Sequence, residues 1–185
     1  MSKQDSNKCD ICGEDALIHI SDGKGGHEAN YCQTCHNRLM AEEMGIEVPE
    51  DVPEELIITD FKDQVHRFKI EYMIWGHMQR LEAYEDYSLG YRCAVGAEFD
   101  VSFPELWDMM MKKLERKMNT EYIDEKGHWT YNKIVGDVVW DSEADDKRII
   151  INGKAYTWYE LYREVEASEG WQIKIEFADS TEDLD

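Results

Sequence analysis

The sequence predicts an α+β protein: a small treble-clef or ribbon-like metal module, then an antiparallel-sheet domain with two amphipathic helices. Three observations predict it. Two Cys-x-x-Cys pairs lie close to the N-terminus, Cys9 with Cys12 and Cys32 with Cys35. Further along, apolar residues recur at every second position in some stretches and at every third or fourth in others, the periods of strands and helices. Between the two regions, residues 46–56 carry Pro49 and Pro53 among Glu47, Glu50, Asp51, Glu54 and Glu55. Prolines that lack a backbone donor, set in a run of acids, make a solvated linker. The expected division is a metal module over 8–45, the linker 46–56, an α+β domain over 57–178 and an acidic tail over 179–185.

Within the module, 16–20 reads as a strand and 21–26 as a turn whose three glycines accept positive φ. Residues 27–31 form the return strand, and a helix then runs through Met44 to Gly45, which is placed to end it. In the domain, Phe68, Ile70, Tyr72 and Ile74 alternate with Arg67, Lys69, Glu71 and Met73, giving a strand with one buried face. A second strand is expected over 78–84. A third over 92–101 places Cys93, Val95, Ala97, Phe99 and Val101 on one face. Ser102-Phe-Pro-Glu105 is a capping box with proline in the first turn. Behind it Leu106, Met110, Leu114, Met118 and Tyr122 recur every four residues, with Trp107 and Met111 alongside. This predicts a long amphipathic helix whose methionine-rich stripe packs on its own sheet or, because methionine adapts its shape, forms a partner groove.

The last third carries clear local signals. Residues 148–151 and 154–156 flank Asn152-Gly153, a pair suited to the type I′ turn of a tight hairpin. Thr157-Trp-Tyr-Glu160 is a second capping box, opening a helix with Trp158, Leu161, Tyr162 and Val165 that Gly170 ends. Trp171, Ile173, Ile175 and Phe177 then alternate with Gln172, Lys174 and Glu176 in a final strand. The acidic tail from Ala178 is expected to be loose.

Charge narrows the partners. The chain has 41 acidic and 20 basic residues, a formal charge of −21. Such a balance repels nucleic acid and anionic membrane surfaces. The module itself sets Lys8, Lys24 and Arg38 against seven acids, so direct nucleic-acid binding is not expected. A protein partner suits the composition better, and an acidic mimic of DNA occupying a basic groove is one form this could take. The polar N-terminus lacks the apolar run of a secretory signal, and no stretch approaches the roughly 18 apolar residues of a membrane span. Five cysteines, four of them in tight pairs, fit a reducing compartment with a metal, so a cytoplasmic location is expected.

The candidate metal ligands are Cys9, Cys12, Cys32 and Cys35. Each tight knuckle can aim two thiolates at one ion, and a hairpin across the intervening 19 residues brings the knuckles together into a tetrahedron. The expected cofactor is one structural Zn2+; an iron centre of rubredoxin type, paired disulfides and a redox dithiol are the alternatives. Four protein ligands leave no open position for an activated water, which makes the site structural rather than catalytic. His36 follows Cys35 directly and could substitute as a ligand, but four thiolates already complete the shell; His19 and His27 fall on or near the hairpin and are read as neighbouring donors or surface residues.

The knuckle Cys9-Asp-Ile-Cys12-Gly13-Glu14, with Ala16, His19 and Tyr31-Cys32-Gln-Thr-Cys35, resembles the zinc modules of the bacterial family that activates the protein-arginine kinase. The resemblance covers residues 9–40. It implies the four ligand positions, a hairpin of treble-clef or ribbon type, and a module that supports folding and protein contacts. The stretch from Ile149-Ile-Ile-Asn-Gly through Trp171-Gln-Ile-Lys-Ile-Glu176 is similar to uncharacterised bacterial proteins, which implies a bacterial or phage origin.

No catalytic motif is visible. His66, His77 and His128 are widely separated, and phosphate loops, nucleophile elbows and dinucleotide fingerprints are missing from the sequence. Cys93, in an alternating strand, is read as a small core residue rather than as a nucleophile served by His66 or His77. Asp141, Glu143, Asp145 and Asp146 lack the spacing of a calcium loop and are read as a solvated hairpin loop. Asp60 with Asp63, or Glu98 with Asp100, could form half of a metal site, but carboxylates this common supply such pairs by chance. The function expected is that of a zinc-binding, non-enzymatic interaction protein, adaptor or regulatory. The alternatives are an enzyme with an unrecognised site in the C-terminal domain and an acidic DNA mimic.

Overall fold

A computed structural model describes residues 7–21, 28–85, 89–130, 133–166, 168–170 and 172–184. The expected glycine turn at 22–26, His27 and Trp171 lie outside the described residues. The chain is α+β, with three antiparallel sheets among the described residues. The N-terminal module pairs β1 (Ile18–Ser21) with β2 (Glu28–Tyr31) and continues into α1 (Gln33–Met44). Gly45 ends that helix in the left-handed conformation, φ 68, its N–H bonded to the Ala41 carbonyl, as its position past the last helical residue requires.

A four-stranded meander follows: β3 (Glu55–Thr59), β4 (Val65–Trp75), β5 (Met78–Glu85) and β6 (Arg92–Glu98). The alternation read from the sequence sets its faces, since Phe68, Ile70, Tyr72 and Ile74 of β4 and Leu81 and Ala83 of β5 are all buried. The helix α2 (Phe103–Asn119) starts at the Ser102 capping box, where the Glu105 carboxylate accepts from the Ser102 N–H at 3.0 Å. Leu106, Met110, Leu114 and Met118 are fully buried in the core that α2 shares with the sheet. The methionine stripe therefore packs on its own sheet rather than lining a groove. Cys93 joins this core at 3% exposure, and burial pushes its thiol up to about 11, which suits packing and not nucleophilic attack.

β3 and the first strand of the last sheet carry too little alternation for the sequence to announce them. β3 begins at the end of the expected linker, and Ile46, Val48 and Val52 before it pack against the main core. The third sheet consists of β7 (Asp137–Asp141), β8 (Asp146–Ile151) and β9 (Lys154–Tyr156), with α3 (Trp158–Val165) after it and a small core of its own around Ile123, Ile149 and Ile151. The turn between β8 and β9 has Asn152 at φ 49 and Gly153 at φ 69, the two positive angles of a type I′ turn.

Two expectations fail at the C-terminus. The final strand does not form over its described residues: 172–179 pairs with no strand among the described residues, and Ile173, Ile175 and Phe177 are 75%, 62% and 72% exposed. Alternation sets which side chains share a face, but a strand also needs a neighbouring edge, and no strand among the described residues pairs with these. The tail, in contrast, is held. Lys113 of α2 donates to the carbonyls of Ser180 and Glu182, and Arg116 pairs with Asp183 at 2.6 Å. The same acidity that predicts a loose segment is what docks it on the basic side chains of α2.

Candidate metal centre

The first knuckle is a tight turn closed at both ends. Gly13 N–H donates to the Cys9 carbonyl at 2.9 Å and Cys9 N–H to the Glu14 carbonyl at 2.7 Å. Gly13 sits at φ 81, a conformation that side chains disfavour. The second knuckle opens α1: Cys32 is its N-cap, and the Cys35 N–H points at the Cys32 sulfur, 3.4 Å away. The two are drawn together by the β1–β2 hairpin and by Asp10, whose N–H donates to the Asn30 carbonyl and whose carboxylate accepts the Asn30 N–H, both at 2.8 Å. Knuckle, hairpin and helix in that order make a treble clef.

The four sulfurs of Cys9, Cys12, Cys32 and Cys35 all lie within 4.8 Å of one another, with Cys12 and Cys32 at 3.5 Å. A tetrahedron with metal–sulfur bonds of about 2.3 Å has edges of about 3.8 Å, so the donor set fits one ion. Among the described residues this is the only such group of His, Cys, Asp or Glu. Without a cation the thiols respond unequally. Burial opposes the Cys9 thiolate, but backbone N–H groups of Cys12, Cys32 and Ile11 outweigh it and hold the group at about 6. Burial and the neighbouring sulfurs push Cys35 up to about 12. Four sulfurs this close resist sharing negative charge, and a cation at their centre removes that conflict. The N-terminus of α1 adds a positive partial charge on the same side.

Neither histidine of the described module reaches the sulfurs as a ligand. His19 Nδ1 bonds the Asn30 side chain at 2.6 Å, and His36 is buried with its Nδ1 unpartnered. The residue after His36 has a role that the sequence does not suggest. Asn37 donates to the Tyr72 carbonyl at 2.7 Å and accepts the Ile74 N–H at 3.0 Å. Pairing along this edge of β4 ends where the Ile70 N–H donates to the Glu54 carbonyl, and beyond it the Asn37 amide serves as a substitute strand. Ala41, Met40 and Met44 extend the contact into the main core. The metal knuckle thereby fixes the start of the helix that closes the sheet edge. Asn37→Ala is expected to cost about 2 kcal/mol in urea unfolding, because it strands two buried backbone groups, while metal content stays unchanged.

Outside the module, one histidine is held between two carboxylates. His66 Nδ1 lies 2.8 Å from Glu85 and its Nε2 3.2 Å from Asp60, and all three side chains are largely buried. Glu85 also accepts the Tyr91 N–H at 2.7 Å, and Asp60 accepts those of Lys62 and Gln64. Both ring nitrogens are taken by carboxylates, so the cluster closes the end of the sheet instead of facing a cleft. Burial works against the ionised Asp60, but the backbone N–H groups of Gln64 and Lys62, with His66, outweigh it and keep the carboxyl below its ordinary value of 3.8. A depressed folded-state pKa adds stability above the unfolded value, and that stability is lost as pH falls through the folded one. Below about pH 4 the protein should lose stability more steeply than Asp60→Asn, as measured by thermal midpoints along an acid series.

The remaining candidates are dispersed. His77 is exposed in the β4–β5 turn, and His128 is exposed near Asp124. Glu98 and Asp100 are exposed, and Asp63 belongs to the turn after Asp60. Asp141 uses its oxygens on the Glu143 and Ala144 N–H groups and on Arg148, while Glu143 and Asp145 are exposed in the hairpin turn and Asp146 is exposed at the start of β8. The clefts beside Tyr156 and Leu161, and beside Val48 and Phe103, have no His or Cys in their linings. No helix among the described residues is long and apolar enough to cross a membrane.

Three protein-family models match the chain, each described as a domain of unknown function: Domain of unknown function (DUF7685) over residues 8–47, (DUF7686) over 50–119 and (DUF7713) over 115–182. No curated protein and no solved structure matches it.

Proposed function

We propose that this is a zinc-binding interaction protein of a bacterium or phage, an adaptor or regulator rather than an enzyme, working in the cytoplasm. The observation that carries this reading is the position of the four-cysteine centre. Its sulfurs converge on one point, and the helix they start is pinned through Asn37 to the edge of the main sheet. A metal held there by four thiolates has no vacant position for substrate or activated water, so its contribution is to folding and to the shape of a surface. Thiolate sulfur suits both zinc and iron; zinc is favoured because a closed four-cysteine shell is its usual structural site. The likeness of residues 9–40 to the zinc modules of the protein-arginine-kinase activator family supports a role in protein contact.

Two measurements on the full chain test the reading. Elemental analysis of purified protein should find one zinc per chain; iron or no metal would overturn the zinc assignment. Tagged protein captured from its native cell, beside Cys32→Ser, should bring down a stoichiometric partner that the variant loses. Turnover of a small substrate, abolished by a substitution outside the module, would refute the non-enzymatic reading.

A further inference from the structure

The unpaired segment after α3 is the most unusual surface of the molecule. Residues 172–178 are all exposed, and none of them makes a backbone hydrogen bond among the described residues. The segment is nonetheless fixed in place at its far end. Arg80 donates to Ser180, Lys113 to the Ser180 and Glu182 carbonyls, and Arg116 pairs with Asp183. Thr181 lies over Gly96 of β6, where an added Cβ would come within 3.3 Å of the Thr181 methyl. A sequence with strand alternation, three large apolar side chains in water and an anchored end is a strand presented without a neighbour among the described residues.

The sequence of the segment says which neighbour fits. We infer that 172–178 pairs antiparallel with the same segment of a second copy of this chain, in the register centred on Ile175. In that register Ile175 faces Ile175 of the other copy, and Ile173 faces Phe177, so all six apolar side chains share one face. On the opposite face Lys174 meets Glu176 of the other copy, twice. Shifting the register by two residues in either direction sets Lys174 against Lys174 or Glu176 against Glu176 at the centre. A parallel pairing in register does both. Like charges directly opposite disfavour a pair and opposite charges favour it, so one arrangement is selected by the side chains themselves. Lys174 and Glu176 already pair within one chain at 2.6 Å, so both reach across the same face. Dimerisation exchanges the one such contact within each copy for two between copies, and supplies partners for backbone groups that bond nothing among the described residues.

The test is the mass of the intact protein in solution, by light scattering and sedimentation, from micromolar chain concentration to about 1 mM at physiological salt. The expected result is a concentration-dependent rise from the single-chain 21.7 kDa to twice that value. Lys174→Glu, which sets glutamates opposite one another, should weaken association by about tenfold or more. Lys174→Glu combined with Glu176→Lys restores opposite charges across the pair and should restore the dimer. Both positions are exposed, so unchanged thermal midpoints confirm that each variant folds. A wild-type protein that stays monomeric overturns the proposal, including the case in which a different protein occupies the segment. A dimer indifferent to Lys174→Glu, or one the double swap fails to rescue, overturns it as well.

Discussion

Cys32→Ser is expected to empty the metal centre and unfold residues 8–45, while the four-stranded sheet and α2 stay folded. Apart from the contacts of α1 with the main sheet, the module has little else to hold it. Its buried apolar residues are Cys9, Ala16, Ala29, Cys35 and Ala41, all small, and a segment of this size does not fold on such packing alone. Structural zinc binding in comparable small modules is worth about 10–16 kcal/mol near neutral pH, so losing one thiolate removes most of what keeps the module folded. Serine is the informative replacement. It retains the capacity to cap α1, a role Cys32 fills by accepting from Cys35, so the variant separates ligand from cap. Metal content should fall from one ion per chain to none, and proteolysis should cut between 8 and 45. Amide exchange at Ile74 should also accelerate, since its N–H is bonded to Asn37. A variant that kept its metal and its protease resistance would refute a structural centre.

Gly153→Ala should destabilise the protein by about 3 kcal/mol. Two costs add. The residue sits at φ 69, where a side chain costs about 1–2 kcal/mol, and an added Cβ would lie 2.5 Å from the Tyr91 ring. Overpacking of this kind costs about 1–3 kcal/mol. Tyr91 cannot easily move away. It is 3% exposed, its ring lies edge-on to His66 at 5.2 Å, and its N–H is held by Glu85. The neighbouring Asn152 accepts the N–H groups of Tyr122 and Ile123 and donates to the Thr120 carbonyl at the end of α2. The Asn-Gly turn thus joins the small third sheet to the large one, and urea unfolding should show that sheet releasing first. An unchanged unfolding midpoint would mean that the Tyr91 contact is not maintained in solution.

The legibility of this chain varies with the range of the interactions involved. The clustering of four cysteines, placed to hold a metal ion, could be read because two short knuckles each determine their own geometry, and only one hairpin is needed to bring them together. The faces of β4 and α2 could be read because burial of one side imposes its period on the residues, as Phe68 to Ile74 and Leu106 to Met118 show. The Asn152-Gly153 turn and both capping boxes were equally local. β3 and β7 gave no such signal: β3 is an edge strand, and the exposed Val138 and Trp140 of β7 blur the alternation that would mark it.

What the sequence by itself determined is the set of features in which a few adjacent residues decide the outcome: four thiolates, two capping boxes, one I′ turn and the alternation of the central strands. What only the tertiary structure decided depends on residues far apart in the chain meeting at one edge. Asn37 reaches Tyr72 and Ile74 across 35 and 37 residues, and His66 reaches Glu85 across 19. An asparagine or a histidine looks the same in a sequence whether it faces water or an unpaired strand edge. Residues 172–177 make the same point in reverse, since their alternation is that of a strand. Alternation marks a segment as able to pair, but whether an edge lies beside it within one copy is decided by the rest of the fold, and no described strand pairs with these residues.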